Sequence, residues 1–145
     1  MTKPTSPNEL PWMLDDLVEV PDVTSVVLFS SDGLIIQKSS FMPQELAEVL
    51  AAGASSMYSV AAGTGRRFDS GAVHQVVIEY EEHTLFIAAA GQNARLAVLC
   101  VQDVDMGMVA YEVSRLVTRI GEFLGTVARS GSLSADGHLG PGYDG

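Results

Sequence analysis

The sequence predicts an α+β domain, a five-stranded sheet with helices on both faces in the order αββαβββα. From Val73 to Gln102 three apolar strands follow one another through links of only a few residues. Strands so close pair antiparallel, because a parallel return needs a crossover of about a dozen residues or more. A long amphipathic helix follows, from about Met106 to Ala128, and two further helical segments frame an earlier pair of strands.

The first helix is expected from about Asn8 to Glu19. Leu10, Met13, Leu14 and Leu17 share one face, and Asp15, Asp16 and Glu19 face away. Pro11 is compatible with the first turn, where its missing N–H does no harm. Pro21-Asp22 ends the element. Val23 to Ser30 reads as a strand apolar on both faces, with Val23, Val27 and Phe29 on one and Val26 and Leu28 on the other. That pattern suits a strand covered on both sides. Ser30-Ser31-Asp32-Gly33 is a turn, and Leu34 to Ser39 returns as a more polar strand at the sheet edge.

The second helix is expected from Pro43 to about Ala62. A core stripe of Leu46, Val49, Leu50, Gly53, Met57 and Val60 fits its period. Its other faces carry Ala47, Ala51, Ala54, Ser55, Tyr58 and Ala62 where Lys and Glu are usual. These small residues read as a smooth surface for a partner helix. Its only charges, Glu45 and Glu48, lie in the first turn and suit the helix dipole.

Gly63 to Gly71 reads as a loop. The strands Val73–Tyr80, Thr84–Ala90 and Ala94–Gln102 follow, joined by Glu81-Glu82-His83 and Gly91-Gln92-Asn93. His74, Val76, Ile78 and Tyr80 share one face of the first of them. In the last helix the expected stripe is Met106, Val109, Ala110, Val113, Leu116, Val117, Ile120, Leu124 and Val127. Glu112–Arg115 and Arg119–Glu122 are expected as surface pairs, worth only tenths of a kcal/mol each. The domain is expected over residues 8–129, with a flexible lead at 1–7 and a disordered tail at 130–145 that is rich in Gly and Ser.

Composition narrows the function. The formal charge is −10, from 18 acids and 8 bases. Nucleic acid and anionic membrane surfaces are disfavoured as partners, since both need clustered Lys and Arg. Between Lys3 and Lys38 there is no base but six acids: Glu9, Asp15, Asp16, Glu19, Asp22 and Asp32. They read as a solvated face that aids solubility, the sharper alternative being a dock for a basic partner. The apolar runs are far shorter than the ~20 residues of a membrane helix, and Met1 to Asn8 has no apolar signal core, so direct membrane insertion and export are not expected. The single Cys100 leaves no internal disulfide framework and reads as a small buried residue, consistent with a reducing cytoplasm.

Catalytic and cofactor motifs are missing. Gly63-Thr64-Gly65 lacks a third glycine at dinucleotide spacing and has no strand before it. Asp103-Val104-Asp105-Met106-Gly107 lacks the bidentate Glu of a calcium loop, whose twelfth position falls at Ser114. Asp103 or Asp105 instead suits the cap of the last helix. His74, His83 and His138 show no metal-ligand spacing, and Cys100 alone completes no zinc site. Arg66-Arg67 reads as a solvated loop pair. No catalytic, cofactor-binding or metal residue is assigned.

Three features together resemble the roadblock / dynein-light-chain family: the element order, the Ser31-Asp32-Gly33-Leu34 hairpin, and the segment Asp103-x-Asp105-x-Gly107-x-x-Ala110-Tyr111-Glu112. More narrowly, the chain is similar to the roadblock proteins of actinomycete conservon operons. The resemblance covers about residues 8–129. It implies a five-stranded antiparallel sheet of roadblock, profilin-like type, with the middle helix on one face and the terminal helices on the other. It also implies a homodimer built through the middle helix and the strand after it. On this sequence that dimer surface maps to Ala47, Ala51, Ala54, Tyr58, His74, Val76, Ile78 and Tyr80. The implied partner is a Ras-like small GTPase, whose hydrolysis is accelerated or whose complexes are scaffolded, in a cytoplasmic assembly. Conservon members are encoded beside a sensor histidine kinase, a small GTPase and a further small protein, so recruitment to a membrane-bound complex is in scope. The expected function is therefore a non-enzymatic adaptor, the alternative being a small-ligand sensor domain.

Overall fold

Eight elements follow in the expected order: α1 (Glu9–Val18), β1 (Val23–Ser30), β2 (Ile35–Lys38), α2 (Gln44–Arg67), β3 (Val76–Glu79), β4 (His83–Ala89), β5 (Ala94–Val101) and α3 (Met106–Leu139). The computed structural model describes residues 9–139, with side chains through Thr126. The lead at 1–7 lies outside the described residues, as do residues 140–145 of the expected tail. The first part of that tail continues α3 to Leu139. An existing helix gains one hydrogen bond for each residue it adds, and no proline interrupts this one before Pro141.

The sheet runs β2-β1-β5-β4-β3, and every neighbouring pair is antiparallel. The topology follows from the links. α2 carries the chain across one face to the far edge, and the β3-β4-β5 meander then returns until β5 meets β1. β2 and β3 are left as the two edges.

Each face has its own core. Leu10, Met13, Leu14 and Leu17 of α1, with Val109, Val113, Leu116, Ile120 and Phe123 of α3, cover Val26, Leu28, Phe86, Leu96 and Val98. α2 covers Val27, Phe29, Leu85, Ile87 and Ala97 on the other face. Val23 joins the α1–α3 core, although strict alternation places it with Val27 and Phe29. The pairing of β1 with β5 slips between Val23 and Ser25, and such an irregularity turns one residue to the opposite face. Phe123, outside the expected α3 stripe, is buried, while Met106 at its start is exposed.

Two glycines shape the turns. Gly33, at φ +85°, closes the β1–β2 hairpin beside Ser55, with Gly33 N–H donating to the Ser30 carbonyl at 2.8 Å. Gly91, at φ +98°, lets the β4–β5 turn press on α3, where a Cβ would stand 3.6 Å from the Cα of Gly121.

Polar links fix the helix ends and join α1 to α3 and to the segment after β2. The Asp15 carboxylate accepts from both the backbone N–H and the hydroxyl of Ser40. Asp105 Oδ1 accepts from Met108 N–H at 3.0 Å and so caps α3. Arg119 reaches across to Asp16 at 3.8 Å and lies over the Trp12 ring at 5.2 Å. It does not pair with Glu122 as its spacing suggested, because α1 brings a carboxylate and an aromatic face within reach. Arg115 keeps its expected partner Glu112 at 3.6 Å.

Candidate interaction surface

The packing of α2 reverses the faces that its periodicity suggested. Ala47, Ala51 and Ala54 are fully buried and Tyr58 nearly so, all against the sheet. Leu46, Val49 and Val60 are 57%, 66% and 69% exposed. Leu50, Met57 and Ala62 sit at the flank, partly covered. The reason lies in the floor beneath the helix, where Phe29, Leu85 and Ile87 already fill space. Large residues facing small ones let the layers close at interior density. The four small-face positions expected at a dimer surface lie against the sheet in the protomer core. The exposed stripe is the available one.

α2 is also longer than expected. Gly63, Thr64, Gly65, Arg66 and Arg67 are helical and not part of a loop. Two glycines cost about 0.5–1 kcal/mol each inside a helix. Arg66 and Arg67 in the last turn offset part of that through the helix dipole.

The strand after α2 is shorter than its apolar pattern. β3 holds Val76 to Glu79, leaving His74 and Tyr80 outside the strand and exposed. Val76 and Ile78 are half-buried on the α2 side, and Val77 packs toward α1 and α3. β3 pairs with β4 alone, so its other edge is unpaired among the described residues. The opposite edge is better protected. β2 carries Lys38 and has a register shift against β1; both features discourage edge pairing.

Between α2 and the β3–β4 turn the sheet is incompletely roofed. A groove of about 480 Å³ opens there, with Leu50, Leu85 and Leu99 inside and Tyr80, Glu81, Glu82 and His83 at its rim. His83 begins β4 and is not a turn residue. Leu50 lines this groove from α2, the helix that carries the exposed stripe. Fully burying a Leu or Val side chain stabilises by about 1.5–3 kcal/mol. The stripe therefore holds several kcal/mol of unused burial.

The rest of the molecule offers little reactive chemistry. Burial first, and then the negative charge of Asp22, push the Cys100 thiol up to about 11. A thiol so protonated is a poor nucleophile. Among the described residues no group of three or more His, Cys, Asp or Glu is placed to hold a metal ion. Arg95 on β5 stacks on Tyr58 at 4.4 Å.

The Roadblock/LC7 domain family matches residues 10–100 of the chain. A Roadblock/LC7 domain from Streptomyces avermitilis is 37% identical, with a TM-score of 0.75, over 79% of this chain and 96% of that one. A second Roadblock/LC7 domain structure from Streptomyces avermitilis is 36% identical, with a TM-score of 0.65, over 77% of this chain and 97% of that one. Myxococcus xanthus MglB shares the fold at 14% identity, with a TM-score of 0.75, over 81% and 96%. No curated protein matches.

Proposed function

This chain belongs to the Roadblock/LC7 domain family, and from that membership we propose that it is a non-enzymatic homodimeric adaptor for a Ras-like small GTPase. It modulates the nucleotide cycle of that GTPase, either by accelerating hydrolysis or by holding one state. The observation that carries this reading is the apolar α2 stripe beside the unpaired β3 edge. Monomeric proteins rarely leave a contiguous apolar surface of this kind uncovered. The family resemblance supplies the partner class, and the conservon-type setting adds a sensor histidine kinase to the complex. No helix among the described residues is long and apolar enough to cross a membrane. In this proposal the protein acts in the cytoplasm and meets a membrane-bound complex through its partners.

The dimer surface in this proposal is the outer side of α2, with Leu46, Val49 and Val60, continued by β3 and by His74, Val76, Ile78 and Tyr80. Binding of the Ras-like GTPase encoded nearest to this chain is the direct test. The protein is immobilised and the GTPase is presented with GDP or with a non-hydrolysable GTP analogue. Tighter binding of the GTP form supports an effector or activating role. Equal binding indicates a scaffold, because equal affinity shifts no equilibrium. No binding of either form removes the GTPase reading. The groove beside Leu50, Leu85 and Leu99 favours one rival, a sensor for an apolar small molecule. A small molecule retained in native mass spectrometry would favour that rival.

A further inference from the structure

Phe41, between β2 and α2, is fully exposed, yet the chain on either side of it is tied down. Before it, Ser39 is buried. Its N–H donates to the Val26 carbonyl at 2.8 Å, and its hydroxyl oxygen accepts from Val26 N–H at 3.1 Å. The Ser40 N–H donates to Asp15 at 2.8 Å, and the Ser40 hydroxyl donates to the same carboxylate. After it, Met42 is buried in the α2 core, and its N–H donates to the Ser39 carbonyl at 3.2 Å. Pro43 then opens α2. The ring is held out by anchored neighbours and is not the tip of a loose loop. An aromatic side chain presented in this way loses little freedom when a partner covers it, as an interface anchor requires.

The topology decides what surrounds the ring. β2 ends at Lys38, which stands opposite Val27 of β1. β5 ends at Val101, whose N–H donates to the Asp22 carbonyl at 2.9 Å just before β1. Val101 also stands opposite His83, at the β3–β4 turn. The α1–β1, β2–α2, β3–β4 and β5–α3 links therefore share one end of the sheet. Asp22, Glu45, Glu81, Glu82 and Asp103 are exposed at that end. Val101 and Met106 add exposed apolar surface among them.

The bases lie elsewhere. Lys38 is the one base with a described side chain at this end. Arg66 and Arg67 close the far end of α2, and Arg95 stands opposite Phe29 toward the other end of the sheet. Arg115 and Arg119 are further along α3, beside Glu112 and Asp16. An aromatic knob in an acidic field fits a protein partner with an apolar socket and Lys and Arg around it. Opposite charge at the rim speeds encounter, and the covered ring slows release. Anionic membranes and nucleic acid are repelled by the same field.

We infer that Phe41 anchors the small GTPase to this chain, seated in an apolar socket of the GTPase that is ringed by basic residues. The inference rests on the GTPase reading above and gives that partner a surface apart from the outer side of α2 and β3. Binding kinetics of the Ras-like GTPase encoded nearest to this chain, on the immobilised full chain, test it. Phe41→Ala should keep the thermal transition and the homodimer of wild type, because the ring is fully exposed in the protomer. It should weaken GTPase binding about tenfold or more, chiefly through faster dissociation. Phe41→Leu should recover part of that loss. Glu45→Lys combined with Asp103→Lys should slow association and flatten its dependence on salt, with dissociation near that of wild type.

Unchanged GTPase binding by Phe41→Ala overturns the anchor and leaves the GTPase reading standing. A weakened homodimer in Phe41→Ala places the ring between copies of this chain and overturns it as well. Wild-type association that does not slow as salt rises overturns the basic rim. Wild type that binds the GTPase in neither nucleotide state overturns both this inference and the reading it rests on.

Discussion

Arg95 lies over the ring of Tyr58, with 4.4 Å from its guanidinium carbon to the ring centroid. The Tyr58 hydroxyl donates to the Val73 carbonyl at 3.3 Å. One side chain thus joins α2, β5 and the segment leading to β3. Tyr58→Phe should lose about 1 kcal/mol of unfolding free energy, and Arg95→Ala about 0.5–2 kcal/mol. Tyr58→Ala leaves a cavity as well and should lose about 3–5 kcal/mol. Urea denaturation of the three variants checks the order.

Position along α2 decides what a charge does. Ala51→Glu places a carboxylate against the sheet among Val27, Phe29 and Ile87, where no partner awaits it. It should unfold the domain or shift its midpoint strongly, because an unpaired buried charge costs several kcal/mol. Val49→Glu faces outward and should keep the circular-dichroism spectrum and thermal transition of a folded chain. In the proposed dimer it should raise the dissociation constant by two or more orders of magnitude, about 3 kcal/mol. Light scattering across a concentration series separates the outcomes.

Cys100 makes stability fall at alkaline pH. Its thiol titrates near 9.0 when unfolded and at about 11 when folded, because burial disfavours the thiolate. The unfolded chain releases the proton first. The contribution is fully present below pH 9 and is lost as pH rises toward 11, about 2–3 kcal/mol in all. Wild type should therefore lose more stability between pH 8 and pH 11 than Cys100→Ala does. Equal slopes would show that the thiol is not held protonated.

Capping gives a smaller, local effect. Asp105→Ala removes the acceptor for Met108 N–H at the start of α3 and should cost about 1 kcal/mol. Asp105→Asn keeps an acceptor and should recover most of the loss. Thermal melts of the two variants measure it.

Periodicity and link lengths determined much of this protein. The eight elements, their order, the antiparallel meander and the burial of Leu10, Leu14, Val109 and Ile120 were all legible, because they depend on spacing along the chain. A cap at Asp103 or Asp105 and the burial of Cys100 were legible too, since each depends on close neighbours in sequence; the structure places the cap at Asp105. The buried face of α2 was not. Leu46, Val49 and Val60 outrank Ala47, Ala51 and Ala54 in hydrophobicity, so a pattern read along one helix points the large residues inward. Only the finished sheet, already filled by Phe29, Leu85 and Ile87, decided that the small side was the one that fits. Tertiary structure likewise gave Arg119 to Asp16, turned Val23 through a slipped register, and left β3 as an open edge. Each of those outcomes depends on which surfaces meet after folding, and a one-dimensional pattern carries no record of that.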